Sequence, residues 1–324
     1  MAYQNVGTPR FYINVLEWLH TLGFKQYDSV FHTLPTAKLP FDTYTEQTGF
    51  PSGLLSDKSF QMILGHTLNT DETTIAFQSF NSPFDNYGDF VNSSYDGSDM
   101  PTYNGWSLVT CECGDTDNFR IHVTDDTSLC SMIIGTYYDM PHSPDLNLSM
   151  SREYGGTKTI ETKGGASLSN TMWSKPALWG DAGACELYQG TPTNHKLSRS
   201  SRRTWSLSFS YLDKGDVFGS NQSLTKYSTD IQSWADSSLY DTGDLNSVGG
   251  SLQGFNYNIL TDDNFFSQII HKTNGGQLPF IFQPDNSNFH PDNFAICKLD
   301  MNNFKFDQVA NGVYNCKIRV REVW

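Results

Sequence analysis

The chain has 324 residues, enough for two domains of ordinary size, with 14% aromatic and only 17% charged residues and a formal net charge of −14. Abundant Tyr, Phe, Asn, Ser, Thr, Asp and Gly exclude a helical bundle, the aromatics exclude wholesale disorder, and the mixture suits short strands joined by polar turns. Residues 1–140 carry 5 Lys/Arg against 17 Asp/Glu, a net of −12, and residues 141–324 carry 16 against 18, a net of −2; the first half is therefore a poor ligand for duplex nucleic acid.

No apolar run approaches the roughly 20 residues of a membrane helix, so no membrane span is expected. Cys111, Cys113, Cys130, Cys185, Cys297 and Cys316 lack the spacing of a disulfide framework or a zinc site. They read as free structural thiols of a soluble protein folded in a reducing cytoplasm.

Along the chain, Phe11 to Val15 has strand character, and the apolar positions Phe11, Val15, Trp18, Leu19 and Leu22 then follow a helical face. Gly23 stops that helix. Short strands are expected at Phe60–Leu64, Thr73–Phe80, Gly105–Cys113, Asn118–Val123 and Leu129–Tyr138, separated by turn clusters such as Asn81-Ser82-Pro83 and Thr124-Asp125-Asp126. That spacing predicts a jelly-roll-like β-sandwich over residues 1–145. Met140-Pro141-His142-Ser143-Pro144-Asp145-Leu146 is the expected boundary, because two prolines oppose a central strand there and the charge balance changes.

Beyond it, strands are expected at Leu146–Met150 and Thr157–Thr162, then Arg203–Leu212. Residues 213–253 are poor in apolar residues and long for a connection; Trp234 and Tyr240 equip this excursion to dock on a neighbour. An amphipathic helix over Asp262–Lys272 stops at Gly275-Gly276, the apolar run Leu278–Phe282 follows, and an alternating strand over Tyr314–Trp324 closes the unit.

The motifs of common catalysts are absent. There is no phosphate-cradling Gly-Lys-Ser/Thr loop, dinucleotide fingerprint, Gly-x-Ser-x-Gly elbow or recognisable Cys/His dyad. Gly114-Asp115-Thr116-Asp117-Asn118 has calcium-loop character but no distal Glu. Asp262 and Asp263 suit a helix N-terminus, and His142 and His271 have structural explanations in a turn and at a helix end. Accordingly no catalytic residue, cofactor or metal is assigned, and the chain is expected not to be an enzyme. The aromatic stretches Phe84–Tyr87 and Tyr137-Tyr138 suit either sugar stacking or core anchoring.

The sharpest cluster is basic. Arg199, Arg202 and Arg203 precede one strand, and Lys317, Arg319 and Arg321 share one face of the last strand by their period of two. If the two strands lie side by side, they present a cationic face. Such a face suits docking onto an acidic protein or lining a passage for nucleic acid; an ordinary solvated sheet face has the same pattern.

The plan of residues 150–324 resembles the distal tail and minor tail-tip proteins of tailed bacteriophages. The resemblance lies in Arg203-Thr204-Trp205-Ser206-Leu207-Ser208-Phe209, the helix Asn264–Ile270, the turn Thr273–Gly276, the strand Leu278–Asp285 and the strand ending near Glu322 and Trp324. It implies a split β-barrel with a packed short helix over residues 146–324, with Thr162–Gly165 and the strand before it as early barrel strands. It further implies assembly as a homo-oligomeric ring in the virion, contacts to other tail proteins or fibres, and DNA contact only on a lumen-facing surface. The alternative implied role is a carbohydrate- or receptor-binding module carried by the N-terminal sandwich.

Overall fold

Residues 6–23, 131–153, 157–171, 201–218, 259–289 and 293–323 are described by a computed structural model, together with 39–41, 44–47, 50–51, 54–55, 58–64, 75–80, 91–92, 102–103, 106–111, 118–123 and 127–129. The first part of the chain forms β1 (Arg10–Asn14), α1 (Val15–Thr21), β2 (Leu39–Phe41), β3 (Tyr44–Gln47), β4 (Ser59–Leu64), β5 (Ile75–Phe80), β6 (Val91–Asn92), β7 (Thr102–Tyr103), β8 (Trp106–Cys111), β9 (Asn118–Val123), β10 (Thr127–Leu129) and β11 (Ser131–Asp139). There follow β12 (Ser149–Glu153), β13 (Thr157–Glu161), β14 (Ser167–Thr171), β15 (Arg202–Asp213), α2 (Lys214–Val217), a helix at Phe266–His271, β16 (Phe280–Gln283), β17 (Ala295–Leu299), β18 (Phe306–Ala310) and β19 (Val313–Glu322). The fold is mainly β, and its strands pair antiparallel.

The largest sheet has the order β12-β15-β19-β17-β16-β1-β11-β4-β8-β7, with β18 added on β19. β3, β9, β5 and β6 form a second sheet. Strand β1 sits between β16, which pairs Phe11 with Phe282, and β11, which pairs Phe11 with Tyr138. Residues from both sides of the expected boundary at 145 therefore share one sheet. The boundary segment itself is stitched down: Met140 N donates to Pro9 O, Ser143 Oγ to Val6 O and Asp145 N to Ser208 O.

Both faces of the central strands are buried. Phe11 and Ile13 of β1 join Phe280, Phe282, Trp205, Leu207, Phe209, Ile318 and Val320 on one face, under Phe265, Ile269 and Ile270 of the helix region. Tyr12 points the other way, among Phe60, Met62, Trp106, Ile133, Ile281, Phe294 and Ile296. Trp106 of β8 and Phe294, just before β17, stand 5.0 Å apart by ring centroids. Along a flat sheet five strand spacings of about 4.8 Å would separate β8 from β17, so the sheet coils until distant strands meet on this face. A third cluster packs Val15, Leu16, Trp18 and Leu19 of α1 against Ile63, Val109, Met132 and Ile134.

The strand-to-helix switch expected near Val15 takes a single residue. Asn14 Oδ1 accepts from Glu17 N at 3.1 Å, and Asn14 Nδ2 donates to Glu17 Oε2 at 3.3 Å, a reciprocal N-cap. Leu22, placed on the buried helical stripe by periodicity, is exposed, because it lies at the C-cap rather than within a turn. At the crossing, Gly135 faces Asn14 in the ladder, and a Cβ there would stand 1.8 Å from Ile13 O and 2.8 Å from Val15 N.

The helix expected over Asp262–Lys272 winds as a π-helix at Phe266–His271. Asn264 Oδ1, not an aspartate, accepts from Ser267 N at 2.9 Å, while Asp263 pairs with Lys58 Nζ at 2.5 Å. Asn274, Gly275 and Gly276 then take positive φ in succession and turn the chain into β16. Gly276 also lies close to Leu299, whose Cβ would be 2.7 Å from an added methyl. Lys272 is fully buried, and its Nζ donates to Gln268 Oε1 at 2.7 Å. Burial lowers its pKa to about 7, against an opposing pull from Asp263.

Two outcomes test this packing. Gly135→Ala is expected to destabilise the fold by about 3 kcal/mol in urea denaturation, since backbone atoms occupy the methyl's place; an unchanged midpoint would contradict the β1–β11 register. The folded protein holds fewer protons than the unfolded chain between the lowered pKa of Lys272, about 7, and its ordinary value of 10.5, so this group's penalty is full below pH 7 and fades as pH rises through that window. Lys272→Met is therefore expected to stabilise by about 1–4 kcal/mol at pH 6 and by less at pH 9; an equal gain at both values would refute the shift.

Candidate interaction face

Strands β15 and β19 lie side by side, with Thr204 opposite Arg321, Ser206 opposite Arg319 and Ser208 opposite Lys317. The cationic face anticipated from their period is assembled from Arg202, Lys317, Arg319 and Arg321, and β17 adds Lys298 directly opposite Arg321. Acidic groups stand among these charges: Arg321 Nη2 lies 2.7 Å from Glu153 Oε2, Arg319 Nε 3.2 Å from Asp300 Oδ2, and Lys298 acts on the carboxyl of Glu17. Half-exposed pairs of this kind contribute about 0–1 kcal/mol, so they shape the face more than they stabilise it.

Arg203 is not part of that face. Alternation turns it inward beside Trp205 and Leu207, while Arg202 and the buried Thr204 face the other side of the sheet. Its guanidinium lies 5.0 Å from the Trp205 ring centroid and donates to Phe294 O at 2.9 Å and to Glu322 Oε1 and Oε2 at 3.2 Å. Its backbone N donates to the same carboxylate at 2.9 Å. This is a desolvated ion pair that ties the start of β15 to the end of β19. Arg199, Trp234 and Tyr240 lie outside the described residues, as does most of the excursion at 213–253.

The cationic row runs into a cleft that no motif announced. Tyr12, Asn14, Glu17, Ser131, Ile281 and Ile296 line it, in about 260 Å³ counted out to open solvent. Burial pushes the Glu17 carboxyl up to about 7, against the pull of Lys298 and the hydrogen bond from Asn14. These residues are scattered through the sequence and are gathered only because β1, β11, β16 and β17 share one face.

Among the described strands, the edge next to this face has no further partner. On β12, which pairs only with β15 among the described strands, Ser149 to Arg152 are exposed. Among the described strands, β13 and β14 pair with each other alone. Ile160 and Leu168 stand directly opposite in that hairpin, 55% and 61% exposed, and Leu146 and Met150 are also exposed nearby. A two-stranded hairpin is at best marginally stable alone in water, so an apolar pair left open on it is unusual.

Other groups have structural roles. Cys297 and Cys316 are free and buried; burial raises the Cys297 thiol well above its ordinary value and Cys316 to about 12, which keeps both protonated and unreactive. Tyr138 is buried and donates to Asp216 O at 3.0 Å, and Arg10 covers the Tyr137 ring at 4.3 Å. His142 Nδ1 donates to Ser143 O at 2.8 Å, and the ring lies beside Phe209. His271 packs on the Trp18 ring, and its pKa is lowered by burial and by neighbouring Lys272. The Asp115–Asp117 and Phe84–Tyr87 stretches lie outside the described residues.

In comparisons with known proteins, no family model, no curated protein and no solved structure matches the chain.

The buried ion pair yields a double-mutant test. Arg203→Met is expected to cost about 3–5 kcal/mol by leaving Glu322 buried without its partner, whereas the double change Arg203→Met, Glu322→Leu recovers most of that loss. Chemical denaturation of the three proteins measures it, and a single variant as stable as the parent would exclude the buried pair.

Proposed function

We propose that the protein is a non-enzymatic structural component of a tailed-phage virion, forming a ring at the tail tip or baseplate and holding neighbouring tail or fibre proteins. The observation that carries this reading is that β12 has one edge without a partner among the described strands, and that the hairpin following it in the chain leaves the apolar pair Ile160 and Leu168 exposed. Unpaired edges and apolar pairs are hazards for a solitary chain and become contacts when a copy or another component covers them. A head-to-tail contact repeated around an axis closes into a ring. In this reading β12, β15 to β19 and the Phe266–His271 helix make up a split-barrel unit, and the sheet β3-β9-β5-β6 belongs to a sandwich-like unit outside it. DNA meets the cationic face only if that face lines the lumen.

Electron microscopy and light scattering of the purified full chain test the proposal. Closed rings are expected, and Ile160→Asp with Leu168→Asp is expected to shift them towards monomers without unfolding the sheet. A chain that stays monomeric at every concentration, or that is missing from purified virions, would rule the reading out.

A further inference from the structure

Four strands of the large sheet form a ribbon with a rim on each side. Tyr314 and Cys316 of β19 pair with β15 on one flank and with β18 on the other, so the order across the ribbon is β12, β15, β19, β18, with every neighbour antiparallel. Among the described strands, β12 has no partner beyond β15, and β18 has none beyond β19. Both rims are exposed, at Ser149–Arg152 and at Asp307–Ala310, and each carries an apolar side chain, Met150 and Val309, that is 50% exposed. The two outer strands run in opposite directions. β12 of a second copy set against β18 therefore continues the antiparallel alternation without a reversal.

We infer that β12 of one copy adds to β18 of the next, with Ser151 opposite Asp307. The inference rests on the ring reading and names the two rims that meet in it. The sheet faces limit the register. Met150 and Arg152 share the face of Trp205, and Phe306 and Gln308 that of Cys316 and Tyr314, which is the core face; Ser151, Glu153 and Asp307 lie on the other. A slip of one residue would set core-side positions opposite outer ones. With Ser151 opposite Asp307, Glu153 stands opposite Lys305, and a slip of two would exchange that lysine for Asp307 or Asn303. Arg321 already pairs with Glu153, and Lys305 with Asp307, within each copy. The joint brings these pairs into one row that alternates in sign. The rims also differ in height. Through Thr204, Ser151 is level with Arg321, whereas Asp307 is level with Asn315, six residues along β19 or about 20 Å. Four strand spacings of about 4.8 Å separate β12 from its next copy, so stagger and width are nearly equal. Such a sheet closes without climbing when its strands incline by about 45° to the ring axis, the upper end of the tilt in closed barrels.

Single-cysteine chains test the pairing. The full chain is made as Ser151→Cys and as Asp307→Cys, both at exposed positions, and treated with a short thiol-to-thiol linker, with the parent chain as control for the native cysteines. Cross-linked dimers are expected when the two are co-expressed, about tenfold above either chain alone, and the double variant is expected to give a ladder of multimers. Met150→Cys with Gln308→Cys, the adjacent pair on the core face, is expected to link in the same way and guards against a local disturbance at the first pair. Linked dimers of Ser151→Cys alone would mean that β12 pairs with itself and would overturn the inference, as would rings in which neither pair links. Electron microscopy of the same samples keeps the two readings apart: rings without the link refute this inference alone, linked chains that grow as open filaments refute the ring alone, and chains that stay monomeric refute both.

Discussion

The insertion of β1 between β16 and β11 is the constraint on which the rest depends. Five residues, Arg10 to Asn14, supply the ladder that joins strands from opposite ends of the chain, and their alternation sends Phe11 and Ile13 to one core and Tyr12 to another. The same strand then turns at Asn14 into α1, whose apolar residues found the third core. Gly135 is required where it lies because the β1 backbone passes too close for a side chain. Three cores, one crossing and one cap thus hang on a short segment.

Local patterns in the sequence were informative where an element answers to its own residues. The switch from strand to helix at residues 10–21, the strands at Ser59–Leu64 and Asn118–Val123, and the alternation over β15 and β19 follow from periodicity and turn chemistry. The adjacency of β15 and β19 was likewise foreseeable, because both strands alternate apolar with polar residues and so each needed a partner on one face. β17 carries no such signature: Phe294-Ala295-Ile296-Cys297-Lys298-Leu299 is a short apolar run between Asn293 and Asp300, and a run buried on both faces has no period to detect. The sharing of one sheet by the two halves was hidden for a different reason. Composition distinguishes residues 1–140 from the remainder, but charge reports what faces water and says nothing of which strands pair.

The candidate face shows the same division. Period two correctly grouped Lys317, Arg319 and Arg321, but applied to Arg202 and Arg203 it separates neighbours that look alike in the sequence. One arginine remains at the surface and the other is sunk against Trp205 and Glu322. The cleft was invisible because its residues come from four strands and the start of a helix, and none belongs to a recognised motif.

The central position of β1 also bears on how the chain reaches its native state. Phe11 pairs with Phe282, so closing the ladder on that side means bringing together segments separated by some 270 residues of chain. Contacts of such long sequence separation are slow to form, because loop-closure entropy is lost before any pairing is gained. During synthesis Arg10–Asn14 emerges well before β16 exists, with apolar side chains on both sides and one rim of its backbone unsatisfied. The interval before β16 arrives is when aggregation competes most strongly with folding, and a chaperone that shields an extended apolar strand would act at that stage.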